Sequence, residues 1–222
     1  MKNNLWIFGC SHSTRIFLDD NQTKWVKPYS EYLSEQLYSN LQSLEQSACG
    51  NDFILNKFIE NIDRFNKGDI VIIQLTHFNR KNFYCSKQKD KVFGTYHTKG
   101  EASDWENPIN KSWWNIAEYL FPQTIIDIFE LADKIEKIIG CKIYIFSYED
   151  WNRYDIDFYK EYFNSKQLIK FGDEQFTSLG EYSLNYKLNT LAESGEKQDA
   201  HMSSESHKKV AELIYKYIKD NE

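Results

Sequence analysis

With 222 residues, 41% of them hydrophobic and 27% charged, the chain has material for one domain with a sizeable core, read here as 1–222. A formal net charge of −6, with no basic stripe, argues against a nucleic-acid partner. No run approaches the ~18 apolar residues that a membrane-spanning helix needs, so no membrane partner is expected.

In chain order, "LWIF" at 5–8 is a short apolar run of the kind that forms a fully buried strand. It enters directly from "MKNN", without the longer apolar region of a signal peptide, which predicts a cytoplasmic protein. Gly9 ends the run, and Cys10, Ser11, His12, Ser13 and Thr14 follow as a polar loop. The segment 29–41 places Tyr29, Tyr32, Leu33, Leu37 and Leu41 on one helical face, and 53–65 does the same with Phe53, Ile54, Phe58, Ile62 and Phe65. A second buried strand is predicted over 69–75, "DIVIIQL".

The stretch 81–121 reads as an irregular, aromatic-rich insertion, with Gly94, Gly100 and Pro108 as breakers, suited to a lid or groove wall. Pro122 is placed to open a helix that Gly140 closes, and "KIYIFS" at 142–147 predicts a third strand. A last helix is expected from about Ser203 to Lys219, with His207 exposed on it. Strands alternating with helices predict an α/β fold with a mostly parallel sheet and helices on both faces. Ligands in such sheets bind at the carboxyl ends of the strands, where the loop 9–14 lies. Aromatics make up 16% of the chain, which fits either a large aromatic core or an aromatic groove for a sugar or acyl chain.

Ser11 in that loop is a candidate nucleophile, and a hydroxyl needs a base to become one at neutral pH. His201, just before the last helix, is the best-placed base, and Asp199 is positioned to orient it. The bland alternatives are a Ser11 that caps a following helix and an Asp199 that anchors the last one. His12 reads as loop surface or as a substrate contact, and Arg80 as a substrate anion site or a surface salt bridge. Cys10 and Arg15 also suggest a cysteine phosphatase loop, but four residues separate them where that signature needs about five. Cys10, Cys49, Cys85 and Cys141 form no CxxC pair, the histidines do not cluster, and GxGxxG is absent, so neither a metal nor a nucleotide cofactor is expected.

"IFGCSHS" resembles the first block of the SGNH (GDSL-like) hydrolases, and "SACGND" at 47–52 resembles the second. "IVIIQLTHFNR" at 70–80 takes the place of the third, and "DAHMSSESH" at 199–207 resembles the last. The resemblance implies a three-layer α/β/α fold with a flavodoxin-like sheet and a serine esterase or deacylase acting on a small acyl ester, such as an O-acetyl group on a glycan. It carries the nucleophile to Ser11, the base to His201, its acid to Asp199, and oxyanion N–H groups to Ser11 and Gly50. The sequence departs from the pattern in three places. Cys10 stands for the usual Asp, the last block is Asp-x-His, and the third block lacks Gly-x-Asn-Asp. A side-chain oxyanion donor is therefore sought in Asn51, before Asn79 or His77, and His12, His77 and Arg80 are candidate substrate contacts. The same scaffold also admits a decayed glycan-binding module or an acyltransferase.

Overall fold

The computed structural model describes residues 2–46, 49–76, 81–84, 92–96, 108–149, 162, 164–172, 178–186, 188–197 and 201–222; for 81–84, 92–96, 108–122, 181 and 184–186 this is the backbone course. The described elements are β1 (Asn4–Gly9), β2 (Ile16–Phe17), β3 (Trp25–Val26), α1 (Tyr29–Gln36), β4 (Asn40–Glu45), α2 (Asn51–Ile59) and a short 3-10 turn (Ile62–Arg64). They continue with β5 (Ile70–Leu75), β6 (Lys81–Tyr84), β7 (Val92–Tyr96), α3 (Pro108–Ile139), β8 (Lys142–Ser147), α4 (Leu179–Tyr186), α5 (Leu191–Ser194) and α6 (Ser204–Asp220).

Four strands form a parallel sheet in the order β4-β1-β5-β8. The chain leaves β1 towards β4 on one side and returns to β5 on the other. This is the flavodoxin-like order, and its switch point lies at the carboxyl ends of β1 and β5. Alternation along each strand builds two cores, because successive side chains leave a strand on opposite faces. Trp6, Phe8, Val71, Ile73, Ile143 and Ile145 pack with Phe53, Ile54 and Phe58 of α2 and Ile125, Ile128 and Phe129 of α3. Leu5, Ile7, Ile72, Tyr144 and Phe146 pack on the other face with Tyr29 and Leu33 of α1 and Val210, Ile214 and Ile218 of α6. The fold is thus a three-layer α/β/α sandwich.

Asp69 ties the amino ends of β1 and β5 together. Its carboxylate accepts hydrogen bonds from the backbone N of Asn4 (2.9 Å), the Trp6 indole (3.0 Å) and the backbone N of Asn66 (3.1 Å). Burial alone would raise its pKa, but these donors outweigh burial and hold it below the usual aspartate value.

The structure corrects several boundaries: the helix expected over 53–65 runs from Asn51 to Ile59, and only the short 3-10 turn Ile62–Arg64 follows it. The helix expected over 29–41 stops at Gln36; the chain turns through Tyr38 at φ 50°, and Leu41 belongs to β4 instead. β4 escaped notice because it is an edge strand, half-covered, whose "NLQSLE" carries mixed polarity rather than an apolar run. The helix expected to open at Pro122 opens at Pro108 and runs 32 residues, with Pro122 inside it. The supposedly irregular 81–121 therefore contains the start of α3, preceded by the β6–β7 hairpin, whose strand-forming residues "KNFY" and "VFGTY" pair antiparallel. Among the described residues, no helix is long and apolar enough to cross a membrane.

Candidate active site

The loop after β1 is folded back on itself. Ser13 N donates to Cys10 O at 2.9 Å, and the Thr14 hydroxyl to Ser11 O at 3.0 Å. Ser13, wholly buried, gives its hydroxyl hydrogen to Gln74 Oε1, and the Tyr29 hydroxyl donates to the same oxygen at 3.3 Å. Gln74 Nε2 in turn faces Cys10 Sγ at 3.7 Å. A single amide from β5 thereby fixes both sides of the loop. The fold-back also explains Gly9: a Cβ there would stand 2.3 Å from Ser13 Oγ and 3.2 Å from Gln74 Oε1. Glycine is required by close approach, not by an unusual φ.

With Cys10 and Ser13 turned inward, Ser11 is left at the bend of the loop, 7% exposed. Among the described residues no hydrogen bond engages its hydroxyl. The element that follows is the strand β2, so Ser11 caps no helix. Cys10 is 0% exposed and packs in the α2/α3 core, while Arg15 ion-pairs with Glu31 and lies over the Trp25 ring at 4.9 Å. Neither residue is turned to a common phosphate site, so the phosphatase geometry is not formed.

Gly50 is the N-cap of α2, and Asn51 is its first helical residue. The Asn51 amide bonds the backbone of Thr76 both ways: Thr76 N donates to Oδ1 at 2.9 Å, and Nδ2 donates to Thr76 O at 3.2 Å. This latch sets the amino end of α2, the positive end of its dipole, beside the carboxyl end of β5. Asn51 spends Oδ1 and one Nδ2 proton on Thr76, leaving the second proton for any other acceptor.

His201 reaches the site from the far end of the chain. Leu191 N donates to His201 O at 2.8 Å, and Thr190 bridges Met202, which fixes the segment entering α6. Ser203 caps α6 by accepting from Ser206 N at 3.2 Å. The His201 ring lies 4.9 Å from that of His12, tilted by 47°. His12 in turn stacks on Tyr148, just beyond β8, at 3.6 Å and 18°. Ser11, His12, Gly50, Asn51 and His201 thus share the carboxyl end of the sheet. Asp199, His77 and Arg80, with Asn79, lie outside the described residues.

Two histidines differ from expectation. His12, read as loop surface, is 7% exposed because Tyr148 and His201 close over it. His207, expected to be exposed, is fully buried, and its Nδ1 accepts from Tyr29 N at 3.2 Å, tying α6 to the start of α1. Burial, helped by the nearby His201 and opposed by Glu196, pushes its pKa down to about 4, so it is neutral at pH 7. Glu45, at the end of β4, is pushed up to about 7 by burial against the hydrogen bonds of its own N–H and the Ser30 hydroxyl. Sequence reasoning passed over Gln74, Tyr148 and Glu149. A glutamine inside "IVIIQL" and a polar pair directly after a buried strand were the signals available. Among the described residues, no group of three metal-ligating side chains gathers.

No family model matches the chain, and no curated protein matches it. A solved structure of the protein YxiM from Bacillus subtilis is similar with a TM-score of 0.49 and 13% identity, over 99% of this chain and 57% of that one. The chain therefore spans less than two thirds of that protein's length.

Proposed function

We propose that the chain is a serine esterase or deacylase of the SGNH kind, cleaving a small acyl ester through an acyl-enzyme on Ser11. The observation that carries this reading is the meeting of three distant segments at one end of the sheet. They are the loop with Ser11, the α2 terminus with Gly50, and the His201 ring packed against Ser11's neighbour His12.

In this reading Ser11 Oγ attacks the ester carbonyl and its proton passes to His201. The carbonyl oxygen gains negative charge, which the N–H groups of Ser11 and Gly50 stabilise. Collapse breaks the bond to the alcohol oxygen, and the alcohol takes the proton from His201. Water, deprotonated by His201, then attacks the acyl-Ser11 ester; the bond from the acyl carbon to Ser11 Oγ breaks, His201 returns the proton to Oγ, and the acid is released. Asp199 stabilises the imidazolium formed in both steps. A carbohydrate is the proposed bearer of the acyl group. Trp25 and Phe17, paired across the β2–β3 hairpin next in chain to the loop, are 43% and 36% exposed, and Phe17 together with the face of Trp25 opposite Arg15 offers apolar surface to a sugar ring.

The test is labelling with a fluorophosphonate probe, followed by peptide mapping. A single adduct on Ser11, absent from Ser11→Ala and reduced at least about 10⁴-fold in His201→Ala, is expected, with a smaller loss in Asp199→Ala. No adduct on Ser11, where a control esterase labels fully, overturns the proposal.

A further inference from the structure

We infer that Arg15 and Lys197, flanking the Phe17–Trp25 pair, form a binding site for an acidic sugar, so that the acyl group is borne by a glycan with carboxylate substituents. The link to turnover rests on the Ser11 reading above; the binding site itself rests on charge and geometry. Arg15 follows Ser11 by four residues and Lys197 precedes His201 by four, so each Cα stands within about 14 Å of its proposed catalytic neighbour. The two segments also touch. Lys197 Nζ donates to Phe17 O at 2.8 Å, joining the β2–β3 hairpin to the chain that leads to His201.

The guanidinium of Arg15 is already oriented. Its Nε donates to Glu31 Oε1, and its Cζ lies over the Trp25 ring at 4.9 Å. Among the described residues Nη1 and Nη2 donate to nothing, and 52% of the side chain is exposed. What is left is the end-on fork, two parallel N–H groups that match the two oxygens of a carboxylate. A phosphate dianion would ask for donors on a third oxygen as well. Trp25 and Phe17 stand directly opposite each other on β3 and β2, so their side chains lie side by side on one face of the ribbon. A uronic acid complements both parts: its apolar C–H face suits the aromatic surface, and its carboxylate, at the ring edge, suits the fork.

Lys197 adds a second positive charge. One of its N–H groups is spent on the neutral Phe17 carbonyl, and among the described residues no carboxylate pairs with it. The acids nearby are mostly engaged elsewhere. Asp19 accepts from the backbone N–H groups of Thr23 and Lys24, and Glu196 accepts from Ser204 N and Ser194 Oγ. Asp20, exposed in the hairpin turn, is the hairpin's one unengaged acid among the described residues.

Titration calorimetry with a β-1,4-linked glucuronic acid trimer, and with cellotriose as its neutral counterpart, tests the site. The acid trimer is expected to bind saturably, and cellotriose at least about 10-fold more weakly. Arg15→Gln should weaken the acid trimer by about 10–100-fold, and Arg15→Lys, which keeps the charge but not the fork, should recover only part of that. Lys197→Met should cost about 2–5-fold. Trp25→Ala leaves Arg15 charged and should weaken both trimers alike, by about 2–10-fold. No saturable binding of the acid trimer, equal binding of cellotriose, or an Arg15→Gln that binds like wild type overturns the site. Tighter binding of glucose 6-phosphate than of glucuronate overturns the carboxylate assignment. Bound acid trimer is also expected to slow fluorophosphonate labelling of Ser11, and binding that leaves labelling unchanged overturns the link to the substrate. If wild type takes no adduct on Ser11 but binds the acid trimer, the esterase reading fails and the binding site stands.

Discussion

Substituting Glu45→Gln should stabilise the protein at pH 7.5 and leave it nearly unchanged at pH 4. The Glu45 carboxyl has its pKa raised by burial from an ordinary 4.5 to about 7. Between those values the folded state holds a proton that the unfolded state has released, so stability falls as pH rises through the interval. At about 1.4 kcal/mol per pH unit the full loss is about 3 kcal/mol, reduced to about 2 kcal/mol because Glu45 keeps partial solvent contact.

His207 works in the opposite direction. Its pKa is depressed from 6.5 to about 4, so the unfolded state binds the extra proton. Its contribution is complete above pH 6.5 and is lost as pH falls towards 4, a change of about 3 kcal/mol. In the wild type these two slopes oppose each other, and stability should vary little between pH 4.5 and 6.5. Glutamine, which imitates the neutral carboxyl, removes one slope and exposes the other, so the variant should gain stability steadily with rising pH. Urea denaturation at half-unit pH steps measures both curves. Parallel curves for wild type and Glu45→Gln across that window would refute the assignment of a buried, neutral Glu45.

Three further substitutions probe the scaffold of the site. Gly9→Ala places a methyl against Ser13 Oγ and should cost about 1–3 kcal/mol in urea midpoint while slowing Ser11 labelling, because the loop must open to admit it. Asp69→Ala leaves the Trp6 indole and two backbone N–H groups without their acceptor, and calorimetry should show a loss of about 2–3 kcal/mol with the labelling site intact. Asn51→Ala cuts the latch to Thr76; a stability loss of about 1–3 kcal/mol is expected, with labelling slowed by movement of the α2 terminus.

The central strands were legible because β1, β5 and β8 are covered on both faces and so read as unbroken apolar runs. β4 was not, since an edge strand under partial cover needs no such run and its preceding leucines also fit a helix. The start of the last helix near Ser203 was legible from local chemistry, because a hydroxyl before an amphipathic run is a favoured N-cap. The burial of His12 and His207 had no local signature. An imidazole in a loop, or in the first turns of a helix, is placed by partners such as Tyr148 and the backbone of Tyr29, which lie far away in sequence. The order of Ser11, Gly50 and His201 along the chain suggested a shared site. Their meeting at one sheet end depends on β1 being the strand from which the chain turns both ways.

The central position of β1 also sets when the site comes into being during synthesis. The loop carrying Ser11 emerges among the first residues, and its bed, β4 and β5, is complete by Leu75. The ring that meets His12 arrives with residue 201, and the segment bearing it is seated by α6 packing on α1. A growing chain folding from its amino end holds the loop and the α2 terminus long before it holds His201. A ribosome-bound chain halted before residue 201 therefore carries the folded loop without the ring that packs against His12.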